Sequence, residues 1–326
     1  MIQEPTIHCM FDPVTGTWQY VVADPSTKDA VIIDPVLDFD PAKAAVSTQT
    51  AEGLLGVVRE KRYNVVGIFE THVHADHLTA SGYLQSRLRD VQNGVAPDIC
   101  IGRRVGFVQT RFGERYGIAK DEYLNAFDRL LDDDEVFAIG DLEARALHLP
   151  GHTPDHMGYM IGCKYSRGLQ EPLQEKKEEE EKKKKGLTPE AANVFAGDSL
   201  FNHDVGSARC DFPGGSARDM FATTRRLLSL PEDTKIWTGH DYPPAGRGPR
   251  AATNVARQKT ENKHLAQNVT EAGFVKWREE RDSGLDEPRL MHWALQFNIR
   301  GGRMPSPNKD GDRLLHVPIR MQGVTW

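Results

Sequence analysis

The segment THVHADH, residues 71–77, constrains this chain more than any other, because its side chains can converge only on a rigid scaffold. His72, His74, Asp76 and His77 are residue types that bind zinc or iron. They follow the apolar run NVVGIFE, which is typical of a buried strand, and precede a predicted helix. The sequence therefore predicts a metal site on a strand-to-helix loop.

The spacing within this segment permits one metal or two. In an extended segment His72 and His74 face the same side, while Asp76 and His77, at the entrance of the predicted helix, can turn toward a second position roughly 4 Å away. The alternative is a set of surface histidines with Asp76 as a helix N-cap. Three histidines at the end of an apolar strand argue against that alternative.

Three later strands also end in a residue that can bind a metal. LEARALHLPGH (142–152) ends at His152, NVFAGDSLF (193–201) contains Asp198, and KIWTGHDY (235–242) contains His240. The regular elements predicted around them are strands at 17–24, 29–35, 64–72, 98–102 and 157–162, helices at 41–61, 78–90 and 216–230, a mainly helical stretch at 253–295, and a final strand-like run at 313–321.

The chain is expected to form one domain over residues 1–326, because no linker divides it. Residues 164–192 are predicted to be a charged surface insertion, centred on the run QEKKEEEEKKKKG at 174–186. A docking segment for a partner is the minority interpretation of that run. The helical C-terminal part, 253–326, is expected to close the substrate side.

Composition excludes several classes of protein. A formal net charge of −6 argues against nucleic-acid binding, and no apolar run is long enough to span a membrane. The four cysteines are scattered and form no CxxC pair, which fits a reducing compartment. We see no targeting segment at the N-terminus and expect a cytoplasmic or mitochondrial enzyme, with a homodimer as the default assembly.

The motifs together resemble those of the metallo-β-lactamase superfamily. THVHADH is similar to the HxHxDH signature, and LPGHTPDH, FAGDSLF and TGHDY match the later motifs in order. The seven matching positions are His72, His74, Asp76, His77, His152, Asp198 and His240. The resemblance implies an α+β protein with the family's four-layer αβ/βα sandwich, in which the metal site lies along one edge of two sheets.

Two branches of the superfamily fit this ligand set. In hydrolases such as glyoxalase II all seven residues hold two metals, zinc or iron, and the position of Asp198 bridges them. In persulfide dioxygenases one Fe(II) is held by the residues that match His72, His152 and Asp198, two histidines and a carboxylate that leave positions open. His74, Asp76, His77 and His240 would then orient the ligands and water.

Features outside the metal motif resemble the persulfide dioxygenases, and in particular their bacterial-type subgroup. They are ETHVHADHLTASGYL, GSARCDFPGGSA (206–217) and NIRGGRMP. By this resemblance Arg209 and Tyr242 would hold glutathione, the carrier of the substrate, and Asp76, His77 and Tyr242 would take part in catalysis. The competing interpretations are that Pro-Gly-Gly is simply a turn and that Arg209 is an ordinary surface arginine.

The resemblance implies a specific reaction, the Fe(II)-dependent oxidation of glutathione persulfide by O₂ and water to sulfite and glutathione. The alternative is a dinuclear hydrolase of glutathione thioesters, in which Asp76 helps to deprotonate water. A nucleic-acid-processing or non-catalytic relative is a third hypothesis, disfavoured by the acidic charge and by the complete ligand set.

Several residues near the motifs are not expected to bind the metal or the substrate. His156, four residues after His152, is expected to lie behind the ligands or at the surface. Cys210, next to Arg209, is expected to be a small buried residue. We assign no role to the histidines outside the motifs, which are His148, His203, His264, His292 and His316.

Overall fold

The structure is a computed structural model that describes residues 4–162 and 193–319. The predicted insertion at 164–192, with its charge run, lies outside the described residues. None of the helices in the described ranges combines the length and apolar character needed to cross a bilayer.

The described residues form fifteen strands and seven α-helices. The strands are β1 (Thr6–Asp12), β2 (Thr17–Ala23), β3 (Asp29–Ile33), β4 (Val36–Asp40), β5 (Ala45–Ser47), β6 (Asn64–Phe69), β7 (Leu78–Thr79), β8 (Asp98–Gly102), β9 (Arg129–Leu131), β10 (Val136–Ile139), β11 (Leu142–His148), β12 (Met157–Ile161), β13 (Asn193–Gly197), β14 (Lys235–Thr238) and β15 (Ala252–Asn254). The helices are α1 (Gln49–Lys61), α2 (Ser81–Val91), α3 (Val105–Tyr116), α4 (Ala217–Leu228), α5 (Val255–Glu261), α6 (Glu271–Asp282) and α7 (Met291–Asn298).

The strands form two six-stranded sheets and one small sheet. The first large sheet has the order β1-β2-β3-β6-β8-β9, antiparallel up to β3 and parallel beyond it. The second has the order β10-β11-β12-β13-β14-β15, with one parallel pair, β13 and β14. The small sheet, β5-β4-β7, is antiparallel.

Side chains of the large sheets alternate between two buried layers, as the two-residue period of a strand requires. In β2, Tyr20 and Val22 pack between the two sheets, whereas Val21 and Ala23 pack toward α1 and α2. The sheets meet through aromatic contacts such as the stacked pair Phe69 and Phe137, whose ring centroids are 5.3 Å apart. The second sheet is covered by α4 and α6, so the layers run αβ/βα and the predicted α+β sandwich is confirmed.

Four strands end at the edge that carries the predicted metal ligands. His72 follows the end of β6, His152 that of β11, Asp198 that of β13 and His240 that of β14. The predicted strands were too long at this edge, because each apolar run continues into the loop after the strand. These loops leave the sheet ladder, and their side chains can therefore converge.

Three predicted elements need correction. The helix predicted at 41–61 begins at Gln49, because residues 45–47 pair with β4 instead. The helix predicted at 78–90 begins at Ser81, because Leu78 and Thr79 also pair with β4. No strand forms in the described part of the run at 313–321. There the backbone amide and carbonyl of His316 hydrogen-bond to the side chain of Gln296 and not to another strand.

Other elements were absent from the prediction. The helix α3 and the short strands β9 and β10 lie in a stretch that the sequence analysis left unassigned. The stretch at 253–295 is mainly helical as predicted, although it begins in β15.

Candidate metal centre

The loop after β6 is held from behind by the C-terminal helix. The side-chain amide of Asn298, the last residue of α7, donates to the backbone carbonyls of His74 and His77 at 2.8 Å each. Its side-chain oxygen accepts from the amide of Thr79 at 2.9 Å. Asn298 is buried, so its three bonds fix the backbone of the loop that carries four of the predicted ligands.

His72, His152 and Asp198 form the first ligand group. One ligand atom from each lies within 4.8 Å of the other two, and all three residues are buried. The rings of His72 and His152 are perpendicular, with centroids 5.0 Å apart, and His152 Nε2 lies 3.7 Å from Asp198 Oδ2. Two imidazoles and one carboxylate in this arrangement can bind one metal ion and leave other positions open.

Hydrogen bonds fix which nitrogen of each histidine faces the group. His152 Nδ1 donates to the carbonyl of Arg209 at 2.7 Å, so the lone pair is on Nε2. His72 Nδ1 lies 3.0 Å from the Thr71 hydroxyl, which itself donates to Asp34 at 2.9 Å. His72 therefore donates through Nδ1 and also presents the lone pair of Nε2.

His74, Asp76, His77 and His240 form the second ligand group, whose ligand atoms also lie within 4.8 Å of one another. Asp76 Oδ2 lies 3.1 Å from His240 Nε2 and 3.3 Å from His77 Nδ1. Burial opposes the charged form of Asp76, but the neighbouring His240 and His77 outweigh burial and lower the pKa of its carboxyl below the usual range. Asp76 is therefore ionised at neutral pH and can bind a cation.

Two buried carboxylates contact the far side of His74. Its Nε2 lies 3.1 Å from Asp34 Oδ1 and 3.3 Å from Glu70 Oε2. Burial disfavours the imidazolium, but Asp34 and Glu70 outweigh that effect and raise the pKa of His74. The same contacts place a proton on Nε2, which leaves Nδ1 to face the ligand groups. Neither carboxylate was predicted from the sequence.

The unpaired atoms of this region match what a metal requires. Among the buried side-chain atoms of the described residues that lack a hydrogen-bond partner are His72 Nε2, His74 Nδ1, His77 Nε2 and Asp198 Oδ1. Leaving buried polar atoms unpaired costs about 1–3 kcal/mol each. Imidazole and carboxylate atoms that are buried together without hydrogen-bond partners fit a bound zinc or iron ion, in either ligand group.

A cavity of about 840 Å³ opens onto the two groups. Asp76, His152 and Asp198 line part of it. The remaining wall includes Phe201, Arg209, Tyr242, Lys263, His264, Trp277, Arg278 and Arg281. Its cationic side chains make this wall attractive to an anionic ligand that reaches the metal ligands with its other end.

The two residues predicted to hold glutathione both line this cavity. Tyr242 is about half exposed and its ring is parallel to that of His240, with centroids 5.7 Å apart. Arg209 makes a two-pronged ion pair with Asp211, at 2.6 and 2.5 Å, and donates to the carbonyl of Asp286 at 2.8 Å. A ligand carboxylate at Arg209 would therefore compete with Asp211.

His156 and Cys210 are both buried. Burial raises the pKa of the Cys210 thiol, which fits the small buried residue that was predicted. His156 contacts the first group from behind. This is one of the two positions predicted for it, the other being the surface. Burial, and then the nearby His152, lower the pKa of His156, so it is neutral.

Three relatives show what the chain is similar to. A probable metallo-hydrolase of Burkholderia pseudomallei is 40% identical over 316 residues, which cover 96% of this chain and 99% of that protein. A protein named glyoxylase B2 of Dictyostelium discoideum is 34% identical over 309 residues, 94% of each chain. The human mitochondrial persulfide dioxygenase ETHE1 is 26% identical over 294 residues, 90% of this chain and 87% of that protein.

A family profile and a solved structure agree with these relatives. The profile described as the metallo-beta-lactamase superfamily matches residues 12–164. The crystal structure of ETHE1 from Myxococcus xanthus is similar at a TM-score of 0.65 and 26% identity, covering 91% of this chain and 100% of that chain.

Proposed function

This chain belongs to the metallo-beta-lactamase superfamily of enzymes, and we propose that it is an Fe(II)-dependent persulfide dioxygenase. The substrate is glutathione persulfide, which is converted with O₂ and water to glutathione and sulfite. One iron per chain is held by His72, His152 and Asp198.

The observation that carries the proposal is the first ligand group. His72 and His152 each present an Nε2 lone pair, and Asp198 presents a carboxylate beside them. Two histidines and one carboxylate are the ligand set of non-haem Fe(II) oxygenases, in which the open positions accept a substrate and dioxygen. Iron bound here would supply the redox chemistry that joins dioxygen to sulfur.

The cavity supports an anionic carrier of the persulfide. Lys263 and Arg281 are exposed, line the cavity and make no ion pair with another described residue within 4.0 Å. Glutathione carries carboxylates at both ends, and these side chains can bind one end while the persulfide lies near His152 and Asp198. Arg209 and Tyr242, on the same wall, are the residues that we propose to contact the rest of the carrier.

The reaction balances without a further co-substrate. The sulfur–sulfur bond of the persulfide breaks, the terminal sulfur is oxidised to sulfite, and dioxygen is reduced. Water supplies the third oxygen of sulfite, and its protons go to the glutathione sulfur and to solvent. The chain's part is to orient the persulfide over the ligand group and to exclude other thiols. Asp76, His77 and Tyr242 lie beside this position, where they can orient water and the carrier.

The names of the relatives support two activities. The human persulfide dioxygenase and the Myxococcus ETHE1 structure favour oxidation of a persulfide, and both align over at least 90% of this chain. The relatives of higher identity are named as a metallo-hydrolase and as glyoxylase B2, which favour hydrolysis.

A dinuclear thioester hydrolase is therefore the second candidate, and the second ligand group favours it. The ligand atoms of His74, Asp76, His77 and His240 are close enough to hold another metal, with Asp198 between the two groups. In that function the metals would activate water, and Asp76 would help to deprotonate it.

Two matched variants separate the candidates. His152→Ala should abolish iron binding if only the first group binds the metal, and should leave one metal in the second group if both groups bind. His240→Ala should retain one iron per chain, and oxygen uptake with glutathione persulfide, if only the first group binds the metal. The measurement is metal content by elemental analysis, beside oxygen uptake and S-lactoylglutathione cleavage. Two metals in the wild type, one in His240→Ala, and thioester cleavage lost with the second metal would establish the hydrolase instead.

A further inference from the structure

His156 contacts every member of the first ligand group. Its ring stacks on that of His72, with centroids 4.8 Å apart and planes 22° apart, and it meets the ring of His152 edge-on at 6.4 Å. The backbone amide of Asp198 donates to His156 Nε2 at 3.0 Å. His156 is completely buried, so these contacts are shielded from solvent.

The hydrogen bonds of His156 prevent it from being a ligand itself. Because Nε2 accepts from the amide of Asp198, the ring proton is on Nδ1, which donates to the hydroxyl of Ser199 at 3.0 Å. The Ser199 hydroxyl in turn donates to the carbonyl of Leu149 at 3.0 Å. Both ring nitrogens are thus occupied, and the effect of His156 on a metal is exerted through other residues.

The turn that presents Asp198 is built around this ring. Gly197 precedes Asp198 with a φ of +50°, a conformation that side chains rarely adopt. A Cβ at Gly197 would lie 2.8 Å from His156 Nε2 and 2.7 Å from the Thr71 hydroxyl. The backbone before the carboxylate ligand therefore packs directly on the imidazole, and the direction of Asp198 depends on it.

We propose that His156 is a positioning residue, which holds His72, His152 and Asp198 in the arrangement that binds the metal. It supports the ring of His72 from one face and fixes the amide of Asp198. The inference rests on the first ligand group of the proposed function, and it applies equally whether the bound metal oxidises a persulfide or hydrolyses a thioester.

The test compares His156→Gln with His156→Asn. Both variants remove the ring, but the side-chain oxygen of glutamine can reach the position of Nε2 and accept from Asp198, whereas asparagine reaches only the position of Nδ1. The variants are made in a chain that carries Asp76→Asn, which disables the second ligand group. Co²⁺ alone is the probe, and its dissociation constant and visible absorption spectrum are measured.

We expect His156→Asn to weaken Co²⁺ binding by about 10–100-fold and to change the spectrum, and His156→Gln to weaken it distinctly less. His8→Asn, a substitution on β1 outside the ligand groups, should leave both readouts unchanged. A merely structural role would lower the thermal unfolding midpoint of the metal-free protein without changing the spectrum. The proposal would be overturned if both His156 variants bound Co²⁺ with the affinity of the parent chain and showed its absorption spectrum.

A milder variant keeps the proposal testable if His156→Asn does not fold. Ser199→Ala removes the acceptor of the Nδ1 proton, and it should weaken Co²⁺ binding in the same direction by a smaller factor. An unchanged Co²⁺ affinity and an unchanged spectrum in Ser199→Ala would contradict a positioning role. Failure of the parent chain to bind Co²⁺ has a different meaning, because it would overturn the ligand group and the proposed function with it.

Discussion

At the scale of single residues, the environment of each imidazole decides which of its ring nitrogens faces the other residues of the two ligand groups. Asp34 and Glu70 take the Nε2 side of His74, while the Arg209 carbonyl takes the Nδ1 side of His152. These contacts set the orientation of both rings before a metal arrives, and a metal that binds His74 must displace the proton that the raised pKa of the ring places on Nδ1.

His264, in the wall of the cavity, should make the stability of the protein depend on pH. Its ring stacks on Trp277 at 3.7 Å, and burial, followed by the charges of Lys263 and Arg278, lowers its pKa from 6.5 to about 4. Between these two values the unfolded chain binds a proton that the folded chain does not. The free energy of unfolding is therefore highest above pH 6.5 and falls as the pH drops toward 4.

His264→Gln should remove this part of the pH dependence. Urea unfolding from pH 8 to pH 4 measures it, with pH 8 as the reference because His264 is neutral there in both states. Loss of the ring stack shifts the stability of the variant at every pH, so the slope is the readout. An equally steep decline in the variant would show that His264 does not contribute.

At the scale of elements, the C-terminal helix α7 supports the metal-ligand loop that lies more than 200 positions earlier in the sequence. Asn298 makes this connection through His74, His77 and Thr79. The loop after β6 is therefore stabilised by a segment outside the residues that the family profile matches.

Asn298→Ala should destabilise the protein by at least about 2–3 kcal/mol, because it leaves two buried carbonyls and one amide without partners. Asn268→Ala is the matched control, since Asn268 is exposed and should tolerate the change within about 0.5 kcal/mol. Urea unfolding of both variants gives the two values. Equal stability of the two variants would refute the role of Asn298.

The sequence was informative where local pattern decides the structure. Short apolar runs that end in a loop residue identified the four strand ends, and the motif spacing identified the seven residues that the structure brings together in two clusters. Asp34, Glu70 and Asn298 escaped detection because their role depends on tertiary contact. Asp34 directly follows β3 within IIDP and Glu70 directly precedes the motif, but neither position indicates which residue the carboxylate contacts. The strand β5 was not predicted because its residues belong to a run whose pattern favours a helix, whereas in the structure they pair with β4.

At the scale of the whole molecule, the sandwich explains why ligands from residue 72 to residue 240 meet. The two large sheets present the ends of β6, β11, β13 and β14 at one edge, and an isolated bridge between Thr17 and His240 joins the sheets there. The cavity wall then adds residues from α6, such as Trp277 and Arg281. The sequence predicted the fold and the residues that meet at this edge, but the wall of the cavity depends on how the C-terminal helices pack.

The most direct test of the proposed function is oxygen uptake by the iron-loaded protein given glutathione persulfide, with sulfite measured at the end. A persulfide dioxygenase is expected to show rapid uptake that depends on iron, with one sulfite formed for each O₂ consumed. The protein loaded with zinc should consume none, because zinc has no redox chemistry. No uptake by the iron-loaded protein, together with cleavage of S-lactoylglutathione, would contradict the account and identify a hydrolase.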